Sequence, residues 1–141
     1  RYRTTRQRFE IDGADLARDF VLAHGRDDAD ARAVWLAIAL HTTPEVPVRL
    51  EPEIALVAAG VQTDVTGSGL DEIGRDELDA VTRAHPRPNF KHEILRAFTD
   101  GMKDRPETTF GTVNEAVLAH FLPGFVGRDL VEVILNSPWP E

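Results

Sequence analysis

Apolar positions recur along this chain at intervals of three and four residues, block after block, and no stretch sustains the alternation of a strand. The pattern predicts an all-α protein in which 1–141 form a single helical domain. Phe9-Glu10-Ile11 leads into a first helix, with Asp12 expected as its N-cap, Leu16, Phe20 and Ala23 as its buried stripe, and Gly25 as its stop. Asp27 or Asp28 caps a second helix that runs to His41 on the stripe Val34, Trp35 and Ile38. The stretch 43–49 holds Pro44 and Pro47 and is expected as an ordered loop. A third helix is expected from about Pro52 to Val65 on Ile54, Val57 and Val61, ended by Gly67-Ser68-Gly69. Residues 75–84 give a fourth helix, stopped by Pro86 and Pro88, and Phe90, Ile94, Ala97, Phe98 and Met102 mark a fifth. Thr112 and Glu115 make a capping box before a sixth helix with Val113, Val117 and Phe121 inside, and a short helix is expected near 128–135.

Two residues interrupt this pattern. His41 lies three positions beyond Ile38, and Asp64 three beyond Val61, so each falls where an apolar stripe predicts a core residue. A carboxylate on an apolar face must be paired, protonated or bound to metal, because a lone buried charge is prohibitive. One imidazole and one carboxylate facing the same interior would make half of a metal site. The alternative is a core histidine and an aspartate satisfied by backbone or arginine partners. Order along the chain does not choose between them. A loop of this length permits helices two and three to run antiparallel, which puts the end of one near the start of the other, yet His41 and Asp64 each end their own helix.

The remaining histidines carry less. His24 and His85 stand at helix ends, where an imidazole satisfies terminal carbonyls. His92 is expected on a solvated face and His120 half-buried beside the sixth stripe. No two histidines have the spacing that fixes a pair of metal ligands on one helix face, and neither a nucleophile elbow nor a phosphate-cradling glycine loop is present. The acidic run at 27–30 reads as cap and surface rather than a calcium loop.

Composition narrows the classes. The chain has no cysteine, which excludes disulfides, thiol catalysis and thiolate metal sites. A net charge of −8 argues against a large nucleic-acid footprint and against an anionic membrane surface. No apolar run approaches the roughly 20 residues of a membrane span, and no signal-peptide pattern opens the chain, so a cytoplasmic location is expected. The sequence opens at Arg1 and its one methionine is Met102, so polypeptide is expected upstream.

Several blocks together resemble the HD-domain superfamily, and within it the cyanamide hydratase-like branch. They are Arg-Phe-Glu-Ile-Asp-Gly-Ala-Asp (8–15), Ala-His-Gly (23–25), Val-Trp-Leu-Ala-Ile-Ala-Leu-His-Thr-Thr (34–43), Glu-Ile-Ala-Leu-Val-Ala-Ala-Gly-Val-Gln-Thr-Asp-Val (53–65), Pro-Glu-Thr-Thr-Phe-Gly (106–111) and Ser-Pro-Trp (137–139). The resemblance implies a helical bundle that binds a divalent metal through a histidine, a His-Asp dyad and a later aspartate. Asp64 matches that later aspartate, and His41 matches a histidine close to the metal centre, as an outer group or an additional ligand. No His-Asp dipeptide occurs in these 141 residues. By family order the first histidine and the dyad would precede Arg8, so this chain is expected to carry the C-terminal part of the domain without its N-terminal helices.

The implied activity is metal-dependent hydrolysis or hydration, with cyanamide hydration to urea as the specific case. A divalent ion, zinc before iron or manganese, would lower the pKa of bound water and supply hydroxide. Asp64 would hold the metal and His41 orient water or substrate. Trp35, Thr42 and Thr43 would edge the pocket of a small-molecule substrate. Phosphohydrolase chemistry is the second expectation, with Arg49 and Lys91 available to a phosphate. A non-catalytic helical binding module on a decayed site is the third. Apolar tail residues around Trp139 suggest a homo-oligomer contact.

Overall fold

A computed structural model describes residues 6–139. Among them are seven α-helices: α1 Phe9–Ala23, α2 Asp28–Leu40, α3 Pro52–Thr66, α4 Arg75–Ala84, α5 Phe90–Met102, α6 Val113–Phe121 and α7 Leu130–Leu135. Short 3₁₀ turns lie at Pro47–Arg49, Leu70–Glu72 and Pro106–Thr108, and the described residues hold no strand. The all-α expectation therefore stands. Most of the Arg-rich opening (1–5) and the final Pro140-Glu141 lie outside the described residues.

Local chemistry explains the helix ends. The Asp27 carboxylate accepts from the Asp30 N–H at 2.9 Å and caps α2. Pro52 opens α3 in its first turn, and Gly67 closes it at φ 80°, a left-handed conformation that glycine adopts without a Cβ clash. At α6 both halves of the capping box are present but displaced. The Thr112 hydroxyl accepts from Asn114 N–H at 3.1 Å, and Glu115 accepts from Gly111 N–H at 2.8 Å. The Thr112 N–H is already donated to the Thr109 carbonyl at 3.0 Å, so the glutamate reaches one residue further back.

The first helix departs from expectation. It starts at Phe9 with Arg8 in the capping position and no side-chain cap, so Asp12 lies inside the helix rather than ahead of it. The expected stripe of Leu16, Phe20 and Ala23 is exposed, Phe20 by 62%, and the buried residues are Glu10, Asp12 and Ala14. The reason is the α1–α2 interface. The buried apolar side chains here are small, Ala14 on α1 and Ala31, Ala37 and Ala39 on α2, and Gly13 lies against Ile38. Small residues bring two helices close and leave no space for Leu16 and Phe20 between them. A similar shift occurs on α6, where Asn114 and Leu118 are buried while Val113 and Phe121 stay exposed.

Helix α3 packs on α2 through Ile54 and Ala58, and α5 packs on α6. The long-range tie is an ion pair. Arg105, just past α5, donates to the Asp12 carboxylate on α1, both side chains being no more than 7% exposed, and also to the Gln7 carbonyl at 3.1 Å. Such a pair costs desolvation to form, and losing one partner strands the other charge. Its placement fixes the start of α1 against the end of α5, where Phe9 also meets Phe98 with ring centroids 6.0 Å apart.

Candidate functional site

The polar residues that the sequence singles out separate into two places. The first is where the start of α1 meets the end of α2. Glu10, in the first turn of α1, is 1% exposed. Its Oε1 accepts from the Thr42 hydroxyl at 2.6 Å and from Arg8 Nη2 at 3.4 Å, while Oε2 is buried with no hydrogen-bond partner. A charge-assisted bond of this kind is among the stronger ones in a fold. Next to it, His41 caps α2 and its Nδ1 lies 2.6 Å from the Ile38 carbonyl. A carbonyl only accepts, so Nδ1 donates in this bond. The His41 ring is half-buried and stands edge-on to Phe9 at 5.7 Å.

Trp35 donates its indole N–H to Asp15 at 2.8 Å, again joining α2 to α1. The Thr43 N–H donates to the Leu40 carbonyl at 2.8 Å, closing the helix end. Trp35, His41 and Thr42 thus all engage the helix pair itself. Phe9 with His41 and Glu10 with Thr42 form adjacent clamps that hold the end of α2 on the start of α1.

The second place is the end of α3. Asp64 is not a core residue: its side chain is 55% exposed. Helix α3 buries Ile54 and Ala58 in its first half and nothing in its second, so the stripe that runs through Val61 to Asp64 leaves the core before reaching the carboxylate. Arg87 donates to Asp64 twice, once to the carboxylate and once to the main-chain oxygen. The Arg87 guanidinium also lies 3.9 Å above the Phe90 ring. This arginine-satisfied aspartate is the arrangement that the sequence left open beside the metal ligand.

Asp64 and Arg87 stand on the wall of a groove of about 1140 Å³ built by the end of α3, the α3–α4 connection, α4 and the start of α5. His85, Lys91 and His92 also line it, as do Leu70, Ile73, Leu78 and Val81. Two proline-flanked steps, Pro86-Arg87-Pro88, bring Arg87 back toward α3, and Asn89 at φ 54° turns the chain into α5. Trp35, His41, Thr42 and Thr43 are not among the groove's lining residues.

Glu10, Arg87, His85 and the groove-lining role of His92 were not legible beforehand. Glu10 did leave a signal, a carboxylate between Phe9 and Ile11. Arg87 left none, since two flanking prolines mark a turn and say nothing of what the turn approaches. His120 is exposed rather than half-buried, with its ring 5.7 Å from Phe121, and His24 bonds the Phe20 carbonyl at 2.7 Å as a helix-terminal histidine does.

The metal implied by the family resemblance needs several donors around one point. Among the described residues no three His, Asp or Glu side chains form such a group. Asp64 supplies one carboxylate whose partner is an arginine, and His41 belongs to the other cluster. The described residues therefore do not constitute a metal centre. Comparisons with protein-family models, curated proteins and solved structures found no match to this chain. No helix among the described residues is long and apolar enough to cross a membrane.

Proposed function

We propose that the protein is a hydrolase or hydratase of the HD superfamily acting on a small molecule, and that the groove at Asp64 is where substrate binds. The observation that carries this reading is the position of Asp64. The residue matched to the family's later aspartate opens on a large groove that also holds two imidazoles, His85 and His92. A concave, mostly apolar site with a few convergent polar groups is the usual form of a small-molecule site. The sequence blocks that carry the resemblance also meet in space, since 8–15 and 34–43 are joined by the Glu10–Thr42 and Asp15–Trp35 bonds.

Hydration of a nitrile is the reaction favoured here. Of the two residues expected to serve a phosphate, Lys91 lines the groove and Arg49 does not, and Arg87 there is engaged by Asp64. Within this reading Asp64 faces substrate, and His41 belongs to the α1–α2 pair, away from the groove. The divalent metal of the family finds no ligand set among the described residues, and no step is assigned to it here.

The test is urea release from cyanamide by the protein as encoded in full, beside its Asp64→Ala variant, with elemental analysis of both. Turnover and near-stoichiometric metal in the parent, both lost in the variant, support the reading. Full activity in Asp64→Ala would sink it.

A further inference from the structure

We infer that the groove at Asp64 is built for a neutral substrate with a substantial apolar body, an aryl- or branched-alkyl-substituted cyanamide or nitrile in place of cyanamide itself. The inference rests on the reading of Asp64 given above and adds the class of substrate.

Size is the first argument. Cyanamide has three heavy atoms, whereas about 1140 Å³ exceeds even the volume that usually holds a drug-sized ligand. A substrate so small would leave nearly the whole groove to water.

The walls are the second argument. Helix α4 has no buried residue, yet its apolar positions Leu78 and Val81, three apart and on one side, both line the groove. Val81 is 58% exposed, and Leu70 and Ile73 on the facing connection are 38% and 40% exposed. Apolar side chains from two elements thus line one concavity and keep part of their surface in solvent. A ligand with an apolar body removes that surface from water, and a polar one does not.

Charge is the third. The ionised side chains of the lining are Asp64 and Asp79 on one side of the balance and Arg87 and Lys91 on the other. With the histidines neutral they cancel, and Arg87 is already held by Asp64. A phosphomonoester dianion would meet no net positive charge in this lining, while a neutral nitrile needs none. Asp64, His85 and His92 leave polar positions for its reacting end.

The reaction balances without a further reagent. Water adds across the C≡N bond of a substituted cyanamide, its oxygen to carbon and both hydrogens to the terminal nitrogen. The product is a substituted urea, and nothing is oxidised or reduced.

The experiment uses the full-length protein with phenylcyanamide and cyanamide as substrates and phenylurea as a non-reacting binding probe. Phenylurea binding is followed by calorimetry, and by amide shifts of residues 70–92. The expected result is a kcat/KM for phenylcyanamide about tenfold or more above that for cyanamide, the scale on which apolar pocket contacts discriminate. Val81→Ser and Leu78→Asp should weaken phenylurea and reduce that preference, with Val81→Ser as the milder change that keeps the fold. Equal or better turnover of cyanamide, unmoved by Val81→Ser, overturns the substrate class and leaves the hydration reading intact. Phenylurea binding at 70–92 with no turnover of either cyanamide overturns the hydration reading and leaves the groove's ligand class intact. No binding in the full-length protein, with the 70–92 amides already protected, means that polypeptide or a second copy fills the groove, and overturns the inference.

Discussion

The α1–α2 pair and the α3–α4–α5 groove use the same kinds of residue for opposite ends. In the pair, the polar side chains singled out bond across the interface or at the helix end, Glu10 through one of its two oxygens: Glu10 with Thr42, Asp15 with Trp35, His41 with the Ile38 carbonyl. The buried apolar side chains of these two helices are all alanines. In the groove, polar and apolar side chains alike line open volume, and α4 buries nothing. A buried polar group with its partners in place is a structural bond, while polar groups arrayed around a concavity are available to a ligand. Burial and partners, more than residue type, separate the two roles. A histidine and an aspartate picked by the same helical rule land one in each.

The contrast predicts unequal costs of substitution. Asp12→Ala, which removes the buried carboxylate that pairs with Arg105, should destabilise most, by about 3–5 kcal/mol in urea unfolding, and Asp12→Ala with Arg105→Met should recover part of the loss. Equal stability of Asp12→Ala and the parent would show that the clasp does not hold the fold. Next comes Thr42→Val. It removes the hydroxyl that satisfies a buried carboxylate and should cost about 1.5–3 kcal/mol, the range for hydrogen bonds to charged groups. Asp64→Ala, on the groove side, should change stability by no more than about 0.5 kcal/mol, since surface positions away from special features rarely do more. If Asp64→Ala proved as costly as Thr42→Val, the line drawn between the two regions would fail.

The smallest effect expected is electrostatic and lies outside both regions. Lys103 bonds the Asp100 carboxylate and, by that bond and by its charge, holds the Asp100 pKa below the ordinary carboxylate value. A depressed folded-state pKa contributes stability above the unfolded-state value, and the contribution is lost as pH falls through the folded one. Lys103→Ala should therefore raise the Asp100 pKa in an NMR titration and lower stability slightly at neutral pH. In strong acid, parent and variant should unfold alike. The pair is exposed, and added salt should erase most of the difference.

Much of the helical framework was readable from the sequence because its punctuation is local. Pro52 and Gly67 bound α3, Asp27 caps α2, and the prolines after residue 85 end α4, each through bonds or torsions within a few residues. What failed depended on partners far along the chain. Asp12 has the chemistry of a cap, and only the arrival of Arg105 explains a carboxylate inside α1. Leu16 and Phe20 make a convincing stripe, but the neighbouring helix presents alanines, and the tighter fit wins. Asp64 keeps its place on the stripe while the core itself stops short of it. Arg87 could not be read at all, since its meeting with Asp64 spans 23 residues and depends on a turn between two prolines. The helices were legible from neighbours; the candidate site is assembled by distance.

The buried pair of Asp12 and Arg105 joins positions 93 apart in sequence, and about two thirds of the chain lies in the loop between them. A molecule closed in this way does not need an unbroken thread. A single cut in the exposed connection between α3 and α4 would leave α1 on one piece and α5 on the other, still fastened at the ion pair and at the Phe9–Phe98 contact. The consequence is a chain suited to division: two separately made halves, parted near Gly69, would be expected to find each other and rebuild the whole. It is also a chain whose integrity on a denaturing gel would say little about whether the native body had come apart.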